Sequence, residues 1–148
     1  MIAISLPPQK RSWSTLSFSS TLYLCPILDL LLAHVPPTLQ AEIRLGLQEA
    51  LVNAAIHGNQ LDPSKAIVVE FSVSREGLCW VISDQGSGFI PHCHCASCSS
   101  TEIAPLPPDE AESGRGLSIL HQIFDQVDWN TKGTQLRLSK RLPRMQMA

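Results

Sequence analysis

The chain has little of several features that mark common protein classes. It contains one tyrosine and 5% aromatic residues, and charged residues make up 16% of its 148 positions. Its formal net charge is -2, so we expect no broad basic surface that would bind nucleic acid directly. It also lacks a run of roughly 18 consecutive apolar residues, the length that a membrane-spanning helix requires. These absences argue against a nucleic-acid-binding protein and against a membrane protein.

Cysteine is scarce and occurs in an odd number, five. Cys93, Cys95 and Cys98 are crowded into one short segment, unlike the cysteines of a secreted disulfide framework. The N-terminal residues show no apolar run followed by a small-residue cleavage site. We therefore expect a cytoplasmic protein.

The apolar residues, 44% of the chain, predict one globular domain over residues 1–148 with a real core. Periodicity predicts helices at residues 22–34, 39–57 and 116–126. Strands are predicted at residues 11–22, 66–74, 78–83, 127–130 and 134–139. The segment 90–113, with several prolines and a Ser/Cys cluster, is predicted to be a loop. Helices packed against a largely antiparallel sheet form an α+β two-layer sandwich.

The longest predicted helix carries a narrow stripe that is polar or bare, formed by Glu42, Gly46, Glu49 and Asn53. Glu49 and Asn53 project together, and Gly46 is expected to leave room one turn earlier. An amide oxygen can coordinate a hard cation such as Mg²⁺, and a carboxylate can deprotonate an attacking hydroxyl. The alternative is an ordinary solvated helix face.

A second motif follows a predicted apolar strand and contains Asp84, Gly86 and Gly88. The Asp84 carboxylate could accept a hydrogen bond from the exocyclic amine of adenine. The glycines allow the backbone to approach a flat ring or to adopt a positive φ angle. The alternative is a plain Asp-Gly turn.

The third motif, residues 113–117, contains Gly114, Arg115 and Gly116 and is expected to begin a helix. Free amides at a helix N-terminus bind phosphate readily, and an arginine adds a forked donor. The alternative is a flexible hinge, because a lone glycine pair is a weak motif.

In their order, spacing and context, the three motifs resemble those of the GHKL-type ATP-binding domain. Histidine kinases, gyrase-type ATPases and anti-sigma-factor serine/threonine kinases share this domain, and the chain most resembles the last group. Residues 49–59 match the N box of that group, and residues 84–89 and 114–120 match its two glycine boxes. The resemblance covers about residues 13–140, with residues 90–113 as the ATP lid.

The resemblance implies a histidine-kinase-like ATPase (Bergerat) fold, with helices on one face of a mixed, mainly antiparallel sheet. It implies ATP and Mg²⁺ as cofactors. Glu49 would be the general base, Asn53 the Mg²⁺ ligand, and Asp84 the residue that reads adenine. The remaining residues expected to contact the nucleotide are Gly86, Gly88, Gly114, Arg115, Gly116 and Thr134.

The resemblance also implies a function. Proteins of this group bind a sigma factor, hold it inactive, and phosphorylate a small antagonist protein on serine or threonine. A non-catalytic nucleotide-dependent binding module is one alternative. The detached ATP-binding domain of a sensor histidine kinase is another, although residues 1–40 are too few for a phosphoacceptor helical hairpin. The sequence leaves open whether the protein forms a homodimer.

The lid departs from the family pattern. His92 and His94 stand beside Cys93, Cys95 and Cys98, and these residue types could bind zinc or respond to redox conditions. The alternative is a lid with incidental cysteines, because ligands so close in sequence would strain a closed tetrahedral site.

Overall fold

A computed structural model describes residues 12–88 and 108–143, and the side chains of residues 12–88 and 116–143. The strands are β1 (Trp13–Ser19), β2 (Ala66–Val73), β3 (Gly77–Ser83), β4 (Gln126–Trp129) and β5 (Gln135–Arg141). The helices are α1 (Cys25–Leu31), α2 (Pro37–Asn53) and α3 (Pro108–Ile123), and a π-helix (Ala54–Gly58) continues α2. Within the described residues, no helix is long and apolar enough to span a membrane.

The five strands form one sheet in the order β1-β2-β3-β5-β4. Every pairing among them is antiparallel, so the described sheet is not the mixed one that we expected. The chain crosses from β3 through α3 to β4, and these two strands run in the same direction. They are not neighbours, however, because β5 lies between them. The mainly antiparallel α+β fold is confirmed.

One face of the sheet forms the core with the helices. Val69, Ile82 and Leu136 are paired across the three central strands, and all three are buried. The ring of Trp80 on the same face of β3 meets the ring of Phe124, just after α3, edge to face with centroids 5.8 Å apart. The helices therefore pack on the face that carries the apolar residues of the alternating strands.

The observed bounds of α1 and α2 differ from the predicted ones, and proline positions and turn geometry explain the differences. Helix α1 is shorter than predicted because Pro26 is tolerated only in its first turn. After it, the N–H of Val35 bonds to the carbonyl of Leu32, a three-residue spacing that belongs to a turn. Helix α2 begins at Pro37, a favourable first position for proline.

The third helix begins earlier than the sequence indicated. It starts at Pro108, so residues 108–113, predicted to be the end of the lid loop, are helical. Proline at the first helical position followed by Asp109 and Glu110 is typical of a helix start. The predicted start was too late because it was based on the glycine pair, Gly114 and Gly116. The rest of the predicted lid, including the Cys/His cluster at residues 92–98, lies outside the described residues.

Candidate functional site

Helix α2 places Glu49 and Asn53 one turn apart near its C-terminal end, and both are partly exposed. The remaining members of the stripe face other elements. The carboxylate of Glu42 lies 3.4 Å from the ammonium group of Lys140. A methyl group on Gly46 would lie 2.5 Å from Cε2 of Phe124. The room that we expected at Gly46, one turn before Glu49, is therefore filled by the ring of Phe124.

Helix α3 passes directly beside Glu49 and Asn53. A methyl group on Gly116 would lie 3.2 Å from Oε2 of Glu49 and 3.4 Å from Nδ2 of Asn53. Gly116 is buried there, so two motifs that are far apart in sequence meet at this point.

The phosphate cradle predicted at Gly114 and Gly116 needs a correction. Only the first four N–H groups of a helix are free, and α3 begins at Pro108. The amides of Gly114, Arg115 and Gly116 are therefore inside the helix and not at its N-terminus. What Gly116 supplies is a close approach of the helix backbone to Glu49 and Asn53.

Asp84 follows β3 and is held by its neighbours. Its N–H donates to the carbonyl of Thr134 at 2.9 Å, and its Oδ1 accepts from the N–H of Gly86 at 2.8 Å. Partial burial raises the pKa of the carboxyl, while the bond from Gly86 and the charge of Lys65 oppose that rise. Among the described residues, no hydrogen bond to the other oxygen, Oδ2, is found.

Three glycines are required by close packing around Asp84. A side chain on Gly58 would overlap the Asp84 carboxylate, and one on Gly86 would overlap the carbonyl of Gly58. Gly88 has φ +84° and its Cα faces the carbonyl of Lys132, so it needs both the conformation and the space that only glycine provides. The sequence motifs indicated Gly86 and Gly88 but did not identify Gly58 as a residue of this packing.

Thr134 lies in the turn between β4 and β5 and is fixed by Asn130. Its N–H donates to Oδ1 of Asn130 at 2.9 Å, and its hydroxyl accepts from Nδ2 of the same residue at 3.1 Å. Because the carbonyl of Thr134 accepts the N–H of Asp84, this turn helps to hold the Asp84 segment in place.

A small cleft with about 20 Å³ of enclosed space lies between α2, the π-helix and the ends of β3, β4 and β5. Asn53, Asp84 and Gly88 line it, and its apolar wall consists of Ala50, Ala54, Ile82, Trp129 and Leu136. In its composition, a mainly apolar lining with a few polar groups, the cleft resembles the lining of small-molecule sites. Glu49 and Gly116 lie next to Asn53, just outside this lining.

Sequence reasoning missed several residues that line the cleft. His57 is exposed and lines the cleft together with Gly58 and Gly133. Trp129 also lines it. The signal for Trp129 was present, since it stands on the apolar face of a short alternating strand. Nothing local to His57 distinguished a cleft residue from a packed one.

The oxygen donors fit a magnesium nucleotide. The amide oxygen of Asn53 is a hard donor of the kind that Mg²⁺ takes together with phosphate oxygens and water, and the carboxylate of Glu49 lies one turn away on the same helix. Among the residues described, no group of three histidine, cysteine or acidic side chains is placed to hold a metal ion.

Comparison with known proteins gives a consistent result. A family model described as "Histidine kinase-like ATPase domain" matches residues 28–140. An anti-sigma F factor of Anoxybacillus flavithermus is 30% identical over 120 residues, which are 74% of this chain and 76% of that protein. Anti-sigma F factors of Clostridium perfringens (strain SM101) and Bacillus subtilis (strain 168) are each 26% identical over 121 residues, which are 75% of this chain and 80% and 77% of those proteins.

Proposed function

Because the chain belongs to the histidine kinase-like ATPase domain family, we propose that it is an ATP-dependent protein serine/threonine kinase. Its substrate would be a small antagonist protein, and it would also bind a sigma factor or similar regulator and hold it inactive, in the cytoplasm. The names of its relatives, anti-sigma F factors, support the regulatory part.

One observation carries the catalytic part of the proposal. Glu49 and Asn53 lie together against Gly116, and Asn53 shares an apolar cleft with Asp84. This arrangement supports the proposal that Glu49 accepts a proton, that Asn53 holds the metal and that Asp84 binds adenine. This arrangement would place the phosphates near Glu49 and the base near Asp84.

The residues act in the following way. In this proposal, the Asp84 carboxylate would accept a hydrogen bond from the exocyclic amine of adenine, and Asn53 would hold Mg²⁺ through its amide oxygen. Bound Mg²⁺ supplies charge neutralisation on the phosphates. Glu49 accepts the proton of the serine or threonine hydroxyl as that oxygen takes the γ-phosphoryl group and ADP leaves. Positioning and charge stabilisation supply most of the rate in such transfers.

The test replaces Glu49 with glutamine, which keeps the shape and removes the base. Transfer of labelled phosphate from ATP to candidate antagonist proteins encoded near this one should fall by about 10²–10⁴-fold, and calorimetry should find ATP binding retained. Glu42→Gln is the matched control. It makes the same change on the same helix, at a residue paired with Lys140, and should transfer at the wild-type rate.

Two outcomes would contradict the proposal. Wild-type rates in Glu49→Gln would remove Glu49 from the base role. A wild-type protein that binds ATP and a partner but phosphorylates none of the candidates would instead favour the non-catalytic binding module.

A further inference from the structure

Asn59 is the one fully buried polar side chain among the described residues, with 0% exposure. Its Nδ2 group donates to the hydroxyl of Ser20 at 2.7 Å and to the carbonyl of Ala66 at 3.0 Å. Its Oδ1 accepts the backbone N–H of Gln85 at 2.7 Å. Asn59 thus joins three other segments: the end of β1, the start of β2, and the segment that follows β3.

The backbone around Asn59 is unusual. Its N–H donates to the carbonyl of Ala54, five residues back, at 2.8 Å, which is the bond that defines a π-helix. The next two residues, Gln60 and Leu61, have φ angles of 53° and 56°. Left-handed conformations are unfavourable for residues other than glycine, so this turn persists because its surroundings hold it. The buried bonds of Asn59 are part of those surroundings.

The bond to Gln85 bears directly on Asp84, the preceding residue. Three successive N–H groups are fixed there: Asp84 donates to Thr134, Gln85 to Asn59, and Gly86 to Oδ1 of Asp84. The side chain of Gln85 also accepts the N–H of Ala66 at 2.7 Å. Among these three bonds to the backbone of residues 84–86, only the bond from Gln85 is accepted by a side chain from another segment, that of Asn59.

We propose that Asn59 is a positioning residue for adenine recognition. By accepting the Gln85 N–H from inside the core, it fixes the segment 84–86 so that Oδ2 of Asp84 faces the exocyclic amine of adenine. The inference rests on the proposed ATP binding. Without this role, Asn59 would only connect the end of β1 to the start of β2 through its bonds to Ser20 and Ala66.

The test compares ATP with purine riboside triphosphate, which carries hydrogen in place of the adenine amine. The ratio of the two affinities measures how well Asp84 holds that amine. A hydrogen bond to a charged group contributes about 1.5–3 kcal/mol, so the wild-type ratio should be about tenfold or more. Asn59→Ala should reduce it to within about threefold of unity, because the Gln85 N–H loses its acceptor.

Ser20→Ala is the matched control. It removes a different bond of Asn59, the one to Ser20, and leaves the bond to Gln85 in place. Ser20→Ala should lower the melting temperature but keep the wild-type affinity ratio. A wild-type ratio in Asn59→Ala overturns the inference, and so does an equal loss of the ratio in both variants, because a general loosening of the fold would then explain it.

A second measurement uses the unchanged protein, in case Asn59→Ala does not fold. Coupling between two sites is reciprocal, so an amine held by Asp84 must strengthen the bond between Gln85 and Asn59. Hydrogen exchange of the Gln85 amide should be slower with saturating ATP than with saturating purine riboside triphosphate. Equal exchange in the two complexes overturns the inference. Equal affinity of the wild-type protein for the two nucleotides removes Asp84 from the proposed function, and the inference fails with it.

Discussion

At the scale of single residues, Asp84 combines features that oppose each other. Burial raises its pKa above the usual value of 3.8, which disfavours the charged form that an adenine amine needs. The N–H of Gly86 and the nearby Lys65 partly restore that form. A carboxylate whose ionised form is disfavoured in the free protein but is needed to bind a ligand is typical of binding residues.

The dependence on pH follows from this shift. Between the ordinary pKa and the raised one, the folded protein holds a proton that the unfolded chain has lost, so the Asp84 contribution to stability falls as pH rises through that window. Affinity for ATP should rise over the same window, because the ionised carboxylate is a stronger acceptor for the amine than the protonated form. Isothermal titration calorimetry across that window checks the trend.

Asp84→Asn removes this titration. At neutral pH the variant should be at least as stable as the wild type, and it should bind ATP about 10- to 100-fold more weakly, since it loses a charged hydrogen bond. Asp62→Asn is the control, because Asp62 is partly exposed and does not line the cleft, and the Ser64 side chain and N–H hold the pKa of Asp62 below its ordinary value. Unchanged ATP affinity in Asp84→Asn would remove the adenine role.

At the scale of elements, the packing of α2 against α3 decides the geometry of the site. Phe124, just after α3, fills the space at Gly46 and touches Trp80 of the sheet. This contact fixes the position of α3, and about two turns earlier the same helix brings Gly116 against Glu49 and Asn53. Two glycines in the packed helices therefore serve different purposes.

The two glycines should respond differently to alanine. Within a helix, Gly→Ala typically adds about 1 kcal/mol of stability. At Gly116 the new methyl group would press on the ends of two flexible side chains, Glu49 and Asn53. We expect the variant to be more stable by up to about 1 kcal/mol but slower in phosphoryl transfer, because the Glu49 carboxylate is displaced. Urea unfolding and a phosphotransfer assay measure both effects.

Gly46→Ala is the counterpart. The methyl group would lie 2.5 Å from Cε2 and 3.0 Å from Cζ of the Phe124 ring, and 3.3 Å from Cδ1 of Ile123. Overpacking of this kind typically costs about 1–3 kcal/mol, so the variant should be less stable despite the same gain in helix propensity. A stability change of the same sign in both variants would contradict this account of the interface.

At the scale of the whole molecule, the cleft lies where one end of the sheet meets the end of α2. The residue after β3, the turn before β5 and the π-helix all contribute to its lining through Asp84, Gly133 and Gly58. No single element forms the cleft, so a ligand bound there would hold several elements together. Binding should therefore stabilise the fold as a unit.

Mg-ATP should raise the free energy of unfolding. A ligand at one hundred times its dissociation constant adds about 2.7 kcal/mol when it binds only the folded state. Chemical denaturation with and without Mg-ATP measures the gain, and purine riboside triphosphate at the same concentration should give a smaller one. An unfolding free energy that Mg-ATP leaves unchanged would argue against a nucleotide site in the cleft.

Much of the fold could be read from local patterns. Alternating apolar residues fixed β2 and β3 to within a residue or two of their observed bounds, and the stripe through Ile43, Leu47 and Leu51 identified α2. The resemblance to the histidine-kinase-like family, based on the order of three motifs, is confirmed by the match over residues 28–140. These features are local because strand and helix periods are set by neighbouring residues.

The contacts between distant segments could not be read in this way. The sequence alone determined which elements form, which family they belong to, and that Glu49, Asn53 and Asp84 were the residues to consider. Only the tertiary structure decided that Gly46 receives Phe124, that Gly116 meets Glu49 from within a helix, and that Asn59 reaches Gln85 from the core. A residue's own neighbours set its conformation, but its partners across the fold depend on how all the elements pack together.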